Sequence, residues 1–235
     1  NKRRYDKIVS TENFILWTIL NRDIFSKRRF MTDNTTFNRK KFISTRTITI
    51  TALLASISYI LAFIELPVPL SPSFARMDLS DIPALIGAFA LGPVIGVIIE
   101  LIKNILQLLS TSTAGVGELA NFLIGASYVW IAGFIYKYKR TKKGAISAYI
   151  ISSIVMGVVA TIVNYFILLP LFETFMPLDQ LIASFSEFLP FIQTKLDVVL
   201  YNVLPFNVIK GLVVGLVTMV VYKKLTPVLK GETSR

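Results

Sequence analysis

Two short polar clusters lie within apolar sequence: Gly117-Glu118-Leu119-Ala120-Asn121-Phe122 and Pro205-Phe206-Asn207-Val208-Ile209-Lys210-Gly211. Each places its polar residues three apart, Glu118 with Asn121 and Asn207 with Lys210, so each pair occupies one face of a helix. Together they offer a carboxylate, two amides and an ammonium. Such groups are costly in an apolar environment unless they pair, meet water or hold a ligand. The chemistry on offer is recognition: hydrogen bonds to the polar edge of a small molecule whose body rests on aromatic walls such as Phe122 and Phe206. Gly115 and Gly117 would allow a tight entry before Glu118. A negative charge near a helix start is also favoured by the helix dipole, an alternative reading for Glu118 that does nothing for Asn121.

Covalent chemistry has little to work with. The 235 residues contain neither cysteine nor histidine, which excludes disulfides, thiolate nucleophiles, imidazole bases and histidine metal sites. No Gly-x-x-x-x-Gly-Lys-Ser/Thr phosphate loop is present, so the chain is not itself an ATPase. Glu100, Lys103 and Asn104 form a third polar group; Glu100 and Lys103 can neutralise each other at i, i+3, as a structural pair or as pocket contacts. Asn164 can line a pocket or bond a neighbouring helix.

These residues must be positioned by membrane-spanning helices. Hydrophobic residues make up 54% of the chain and charged ones only 17%, unlike a water-soluble domain of this size. Apolar runs near the ~20 residues needed to cross a bilayer recur, which predicts an all-α, multi-pass membrane protein. The net charge of +11 gathers at the ends of these runs, as topology signals do, and is not read as a nucleic-acid surface.

Six spans are expected: 46–66, 81–91, 94–110, 118–136, 145–169 and 201–222. Residues 82–109 are long for one helix and short for two. The basic run Lys137-Tyr138-Lys139-Arg140-Thr141-Lys142-Lys143 and the basic approach to the first span share the cytoplasmic side only if the chain turns at Gly92-Pro93. Both termini are then cytoplasmic, and both polar clusters lie toward the outside. The outer loops would hold Asp78, Asp81, Glu173, Asp179, Glu187 and Asp197 against Arg76 and Lys195. In this reading Lys210 faces inward, opposite Glu118. The first two spans are joined by a loop from Pro67 to Ser80, and the proline-bearing segment between the last two is expected to form short amphipathic pieces over the mouth of the site. Thr51, Ala52, Ala55 and Ser56 make a small-residue stripe on the first span, suited to close helix packing within the chain or against a partner.

Residues 45–230 form the expected membrane domain, residues 1–44 a basic segment outside it, and 231–235 a tail. Residues 1–30 read either as sequence upstream of a start at Met31 or as a short interfacial helix.

With these residues in view, Thr45 to Leu229 resembles the substrate-binding S components of energy-coupling factor (ECF) vitamin transporters, and within them the riboflavin-binding branch. The resemblance rests on Met77-Asp78-Leu79-Ser80-Asp81-Ile82-Pro83, the Leu91-Gly92-Pro93 turn, Lys103-Asn104 and the two clusters above. It implies a six-helix S-component bundle that captures riboflavin outside, with flavin mononucleotide left open. It also implies dependence on a membrane coupling subunit (the T component) and two cytoplasmic ATPases. Glu118, Asn121, Asn207 and Lys210 would read the flavin, Asn164 with them, and Met77, Asp78 and Leu79 would cover it. The stripe of Ala52, Ala55 and Ser56 would dock on the coupling subunit. Riboflavin would be cargo, with no resident cofactor or metal. Competing readings are an S component for another small vitamin and a self-sufficient secondary transporter, which should show an inverted repeat; no such repeat is evident.

Overall fold

The computed structural model describes residues 44–67, 76–111 and 113–230; residues 1–43 of the proposed N-terminal segment and the 231–235 tail lie outside these. Helix α1 spans Thr45–Ala62 and is followed by a ribbon of β1 (Glu65–Pro67) and β2 (Arg76–Asp78). Next come α2 (Asp81–Leu91) and α3 (Pro93–Gln107), which tightens into a 3-10 turn at Leu108–Ser110. Helix α4 is Val116–Tyr138. Helix α5 begins with Lys142–Val163 and continues through a π-helical stretch, Asn164–Leu168, to Leu169–Glu173. A short α6, Leu178–Ser186, leads to α7, built of Lys195–Asp197, a π-helical stretch Val198–Val203 and Leu204–Lys230.

Five of these helices, α1, α3 (taken to Ser110), α4, α5 and α7, are long and apolar enough to cross a membrane. Helix α2 has 11 residues, about 16 Å at 1.5 Å per residue. Its packing explains how so short a helix belongs to the bundle: every residue from Asp81 to Phe89 is buried. It is a central strut enclosed by its neighbours, with no apolar stripe turned to lipid. Its Leu85 joins Ile99, Tyr128, Met156 and Val214 in the main core, and the Tyr128 hydroxyl ties α4 to α7 by donating to the Gly211 carbonyl at 2.7 Å.

The expected hairpin at Gly92-Pro93 is present. Gly92 has φ 112° and ψ 163°, a region essentially restricted to glycine. Its N–H caps the Ala88 carbonyl of α2 at 3.1 Å, while its own carbonyl accepts from Ile95 and Gly96 at the start of α3. Pro93 takes the first position of α3, where a missing N–H costs nothing.

Three elements depart from the sequence reading. The first span, expected to reach residue 66, ends at Ala62, and Glu65–Pro67 instead pairs antiparallel with Arg76–Asp78, Glu65 opposite Asp78 and Leu66 opposite Met77. Helix α5 runs past the expected end through Pro170, and α7 begins about two turns before Tyr201. In both, a π-helical stretch precedes the proline, Asn164–Leu168 before Pro170 and Val198–Val203 before Pro205. A proline inside a helix removes one donor and crowds the preceding turn; widening that turn lets the helix continue. The segment between them does form short pieces: α6 buries Leu181 and Phe185 in a second, smaller core with Leu169, Ile192, Val198 and Val199. Lys195 closes this region by pairing with Glu173 at 2.7 Å.

Substituting Gly92 by alanine tests the turn. The new Cβ would meet nothing within 4 Å, so the cost is backbone strain alone, about 1–3 kcal/mol. A lower thermal midpoint of the detergent-solubilised protein is expected; an unchanged midpoint would show that the turn relaxes without cost.

Candidate ligand site

A cavity of about 370 Å³ opens at the end of the bundle that carries the ribbon. Glu118 and Asn121 reach it from α4, Asn164 from the widened turn of α5, Asn207 and Lys210 from α7, and Asp78 from β2. Six of the polar residues singled out in the sequence therefore converge on one space. Ile124, Leu168, Phe172, Leu181, Phe185 and Phe206 supply apolar wall, so α6 and the end of α5 cover it as expected of that segment.

The two π-helical stretches place amides here. Asn164 donates from Nδ2 to the Ala160 carbonyl at 2.8 Å, and Asn207 to the Val203 carbonyl at 2.9 Å. Each side chain is thus held by its own helix while it lines the cavity, and its amide oxygen is set as an acceptor. Asn202, within the second π stretch, also lines the space and was not anticipated. Pro170 and Pro205 within apolar helical sequence were the available signal, because widened turns are frequent at functional sites.

Glu118 is anchored by the α3–α4 connection. Its Oε2 accepts from the hydroxyls of Thr111 at 2.9 Å and Thr113 at 3.1 Å. The same threonines accept from the N–H groups of Gly115 and Gly117, so the carboxylate sits in a network that also satisfies the start of α4.

Lys210 does not oppose Glu118 as a counter-ion. Its Nζ lies 3.1 Å from Asp81 Oδ2 and 3.7 Å from Asp78 Oδ2. Asp81, counted among the outer-loop acids, opens α2 where the 81–91 span was expected to begin, but it is only 1% exposed. The start of α2 and the end of β2 bring two carboxylates beside α7, whereas Glu118 is held by its threonines. Asp81 also binds Lys103, whose Nζ is 2.9 Å from Asp81 Oδ1, 3.0 Å from Ser80 Oγ and 2.6 Å from Glu100 Oε2. The Glu100–Lys103 pair is therefore formed, wholly buried and outside the cavity lining. Glu100 packs against Gly125 of α4, where a Cβ would fall 2.7 Å from Oε2. Among the described residues no group of three acidic side chains is arranged to hold a metal ion.

Three further residues named from the sequence lie off the cavity lining or off the surface. Met77 and Leu79 do not line the cavity: alternation along β2 turns Met77 to the face opposite Asp78, in register with Leu66, and Leu79 packs on the main core. Ala55 is 1% exposed and faces its own bundle, so it offers no surface to a partner. Ala52 and Ser56, one step round α1, are exposed.

Comparison with known proteins agrees with this architecture. The family model described as "ECF transporter, substrate-specific component" matches residues 46–222. The riboflavin transporter RibU of Staphylococcus aureus is 39% identical over 79% of this chain and 92% of its own length. The riboflavin transporter FmnP of Bacillus subtilis is 31% identical over 79% of this chain and 94% of its own. A solved structure described as the S component of a bacterial ECF transporter superposes with a TM-score of 0.64 at 36% identity, covering 78% of this chain and 97% of that one. With a matching family model, two close relatives and a shared fold, this multi-pass membrane chain belongs to the substrate-specific S components of ECF transporters, and is not an enzyme.

Proposed function

We propose that the cavity binds riboflavin, captured from outside the cell for ATP-driven uptake by a separate energising module. The observation that carries this reading is the convergence of Asp78, Glu118, Asn121, Asn164, Asn207 and Lys210 on one partly aromatic cavity. Its volume falls within the range of small-molecule sites. A flavin is a flat ring system with a carbonyl and imide edge and a hydroxylated tail. Amide groups of Asn164 and Asn207 and the Lys210 ammonium suit the ring edge, Glu118 and Asn121 suit hydroxyl or imide donors, and the apolar walls suit the ring faces. The names of both close relatives point the same way.

In this reading the chain crosses the bilayer six times with both ends cytoplasmic. The basic α4–α5 connection from Lys137 to Lys143 then lies inside and the ribbon outside. The partners are a membrane T component and two cytoplasmic ATPases, met in the plasma membrane; nucleic acid has no part. The exposed Ala52 and Ser56 on α1 form the docking stripe, since small side chains let two helix backbones approach.

Protein purified from a flavin-containing host should be yellow and quench flavin fluorescence on titration; colourless protein that ignores flavin would reject the ligand. Lys210→Ala or Asn207→Ala should weaken binding by about 1–3 kcal/mol, the scale of a lost buried polar contact, and unchanged affinity in both would move the site elsewhere. Ala52→Trp should leave flavin binding intact while stopping uptake in cells carrying the whole transporter. Normal uptake would remove α1 from the docking surface.

A further inference from the structure

Lys210 is the one ammonium among the described cavity-lining residues, yet the groups that hold it lie largely behind the wall. Asp81 gives one oxygen to Lys210 and the other to Lys103, at 3.1 and 2.9 Å. Lys103 continues to Ser80 and Glu100. The Ser80 N–H donates to Asp78 Oδ1 at 2.8 Å, and the Ser58 hydroxyl of α1 donates to the Ser80 carbonyl. One carboxylate thus joins the cavity's ammonium to the strand that brings Asp78 to the cavity.

A lysine side chain is long and rich in rotamers, so an ammonium held in advance loses less freedom when it meets a ligand. Asp78 stands at 3.7 Å from Nζ, beyond hydrogen-bond distance. Asp81 therefore orients the ammonium while leaving donors for a guest. Resting on the reading of this cavity as a flavin site, we propose that Asp81 is a positioning residue. It aims Lys210 into the cavity and, through Ser80 and Lys103, fixes β2 to the same point, so that ammonium and strand are presented to the ligand as one unit.

The competing role is purely structural, Asp81 serving only as a counter-ion for buried Lys103. A double-mutant cycle separates the two. Riboflavin affinity is measured by fluorescence quenching on the detergent-solubilised full chain, for wild type, Asp81→Asn, Lys210→Met and the double variant. Asp81→Asn should raise Kd about ten- to a hundredfold, the range for one charged contact within a buried network. The same change in the Lys210→Met background should alter Kd by no more than about twofold, because the group it positions is already gone. Equal losses in both backgrounds, or no loss in Asp81→Asn, would overturn the proposal while leaving the flavin site standing. Absence of flavin binding by the wild type would overturn both. If Asp81→Asn alone does not fold, Asp81→Asn/Lys103→Met, which removes one charge of each sign, replaces it. Weakened binding supports positioning, and wild-type affinity overturns it.

Discussion

Five charged side chains from β2, α2, α3 and α7 meet where water is scarce, and the fold is organised around making that tolerable. Removing an ion from water costs several kcal/mol even after relaxation, so an isolated lysine at this depth would not remain charged. Asp81 meets the difficulty by serving two lysines with one carboxylate, an oxygen to each. Because Lys103 belongs to α3 and Lys210 to α7, that carboxylate also fixes how three helices approach one another. Loss of a single partner would leave a buried charge uncompensated, which makes this point of the structure intolerant of drift. It is also the place where an otherwise apolar bundle specifies one arrangement.

The short α2 follows from the same arrangement. A helix of 11 residues is too short to face lipid from one side of the bilayer to the other. Buried on every side from Asp81 to Phe89, it instead carries its carboxylate into the centre of the bundle and returns at Gly92. The ribbon before it delivers Asp78 to the same neighbourhood, so β2, the start of α2 and this side of the cavity are mechanically one piece.

The opposite wall is shaped by a different device. Proline would ordinarily interrupt α5 and α7, but a widened turn ahead of each allows both helices to proceed. Those turns carry Asn164 and Asn202 on the cavity side, with Asn207 bonded back to the second of them. Over this wall, α6 contributes Leu181 and Phe185, which serve both the small upper core and the cavity lining. Cavity covering and local folding therefore draw on the same apolar side chains.

Much of this was legible along the chain, because membrane helices write strong one-dimensional signals: long apolar runs, basic ends, a Gly-Pro break. Those signals located the bundle, the hairpin at Gly92 and both polar clusters, since each is a local exception to a hydrocarbon background. Who pairs with whom was not local. Lys210 and Glu118 looked complementary because they had opposite charge toward the same expected side of the membrane, whereas distance in space decided for Asp81 and Asp78. Asp81 itself, one of several acids near span ends, carried no mark of burial; only the enclosure of α2 by four other helices made it the hub. Likewise Pro170 looked like a boundary, and the span bearing Pro205 was expected to begin only at 201, until tertiary packing favoured a widened turn over a broken helix. Sequence by itself determined which groups were too polar to be left in lipid, since solvation depends on residue type. Tertiary structure decided which partners satisfied them, since electrostatic pairing depends on a few ångströms that no spacing along the chain can encode.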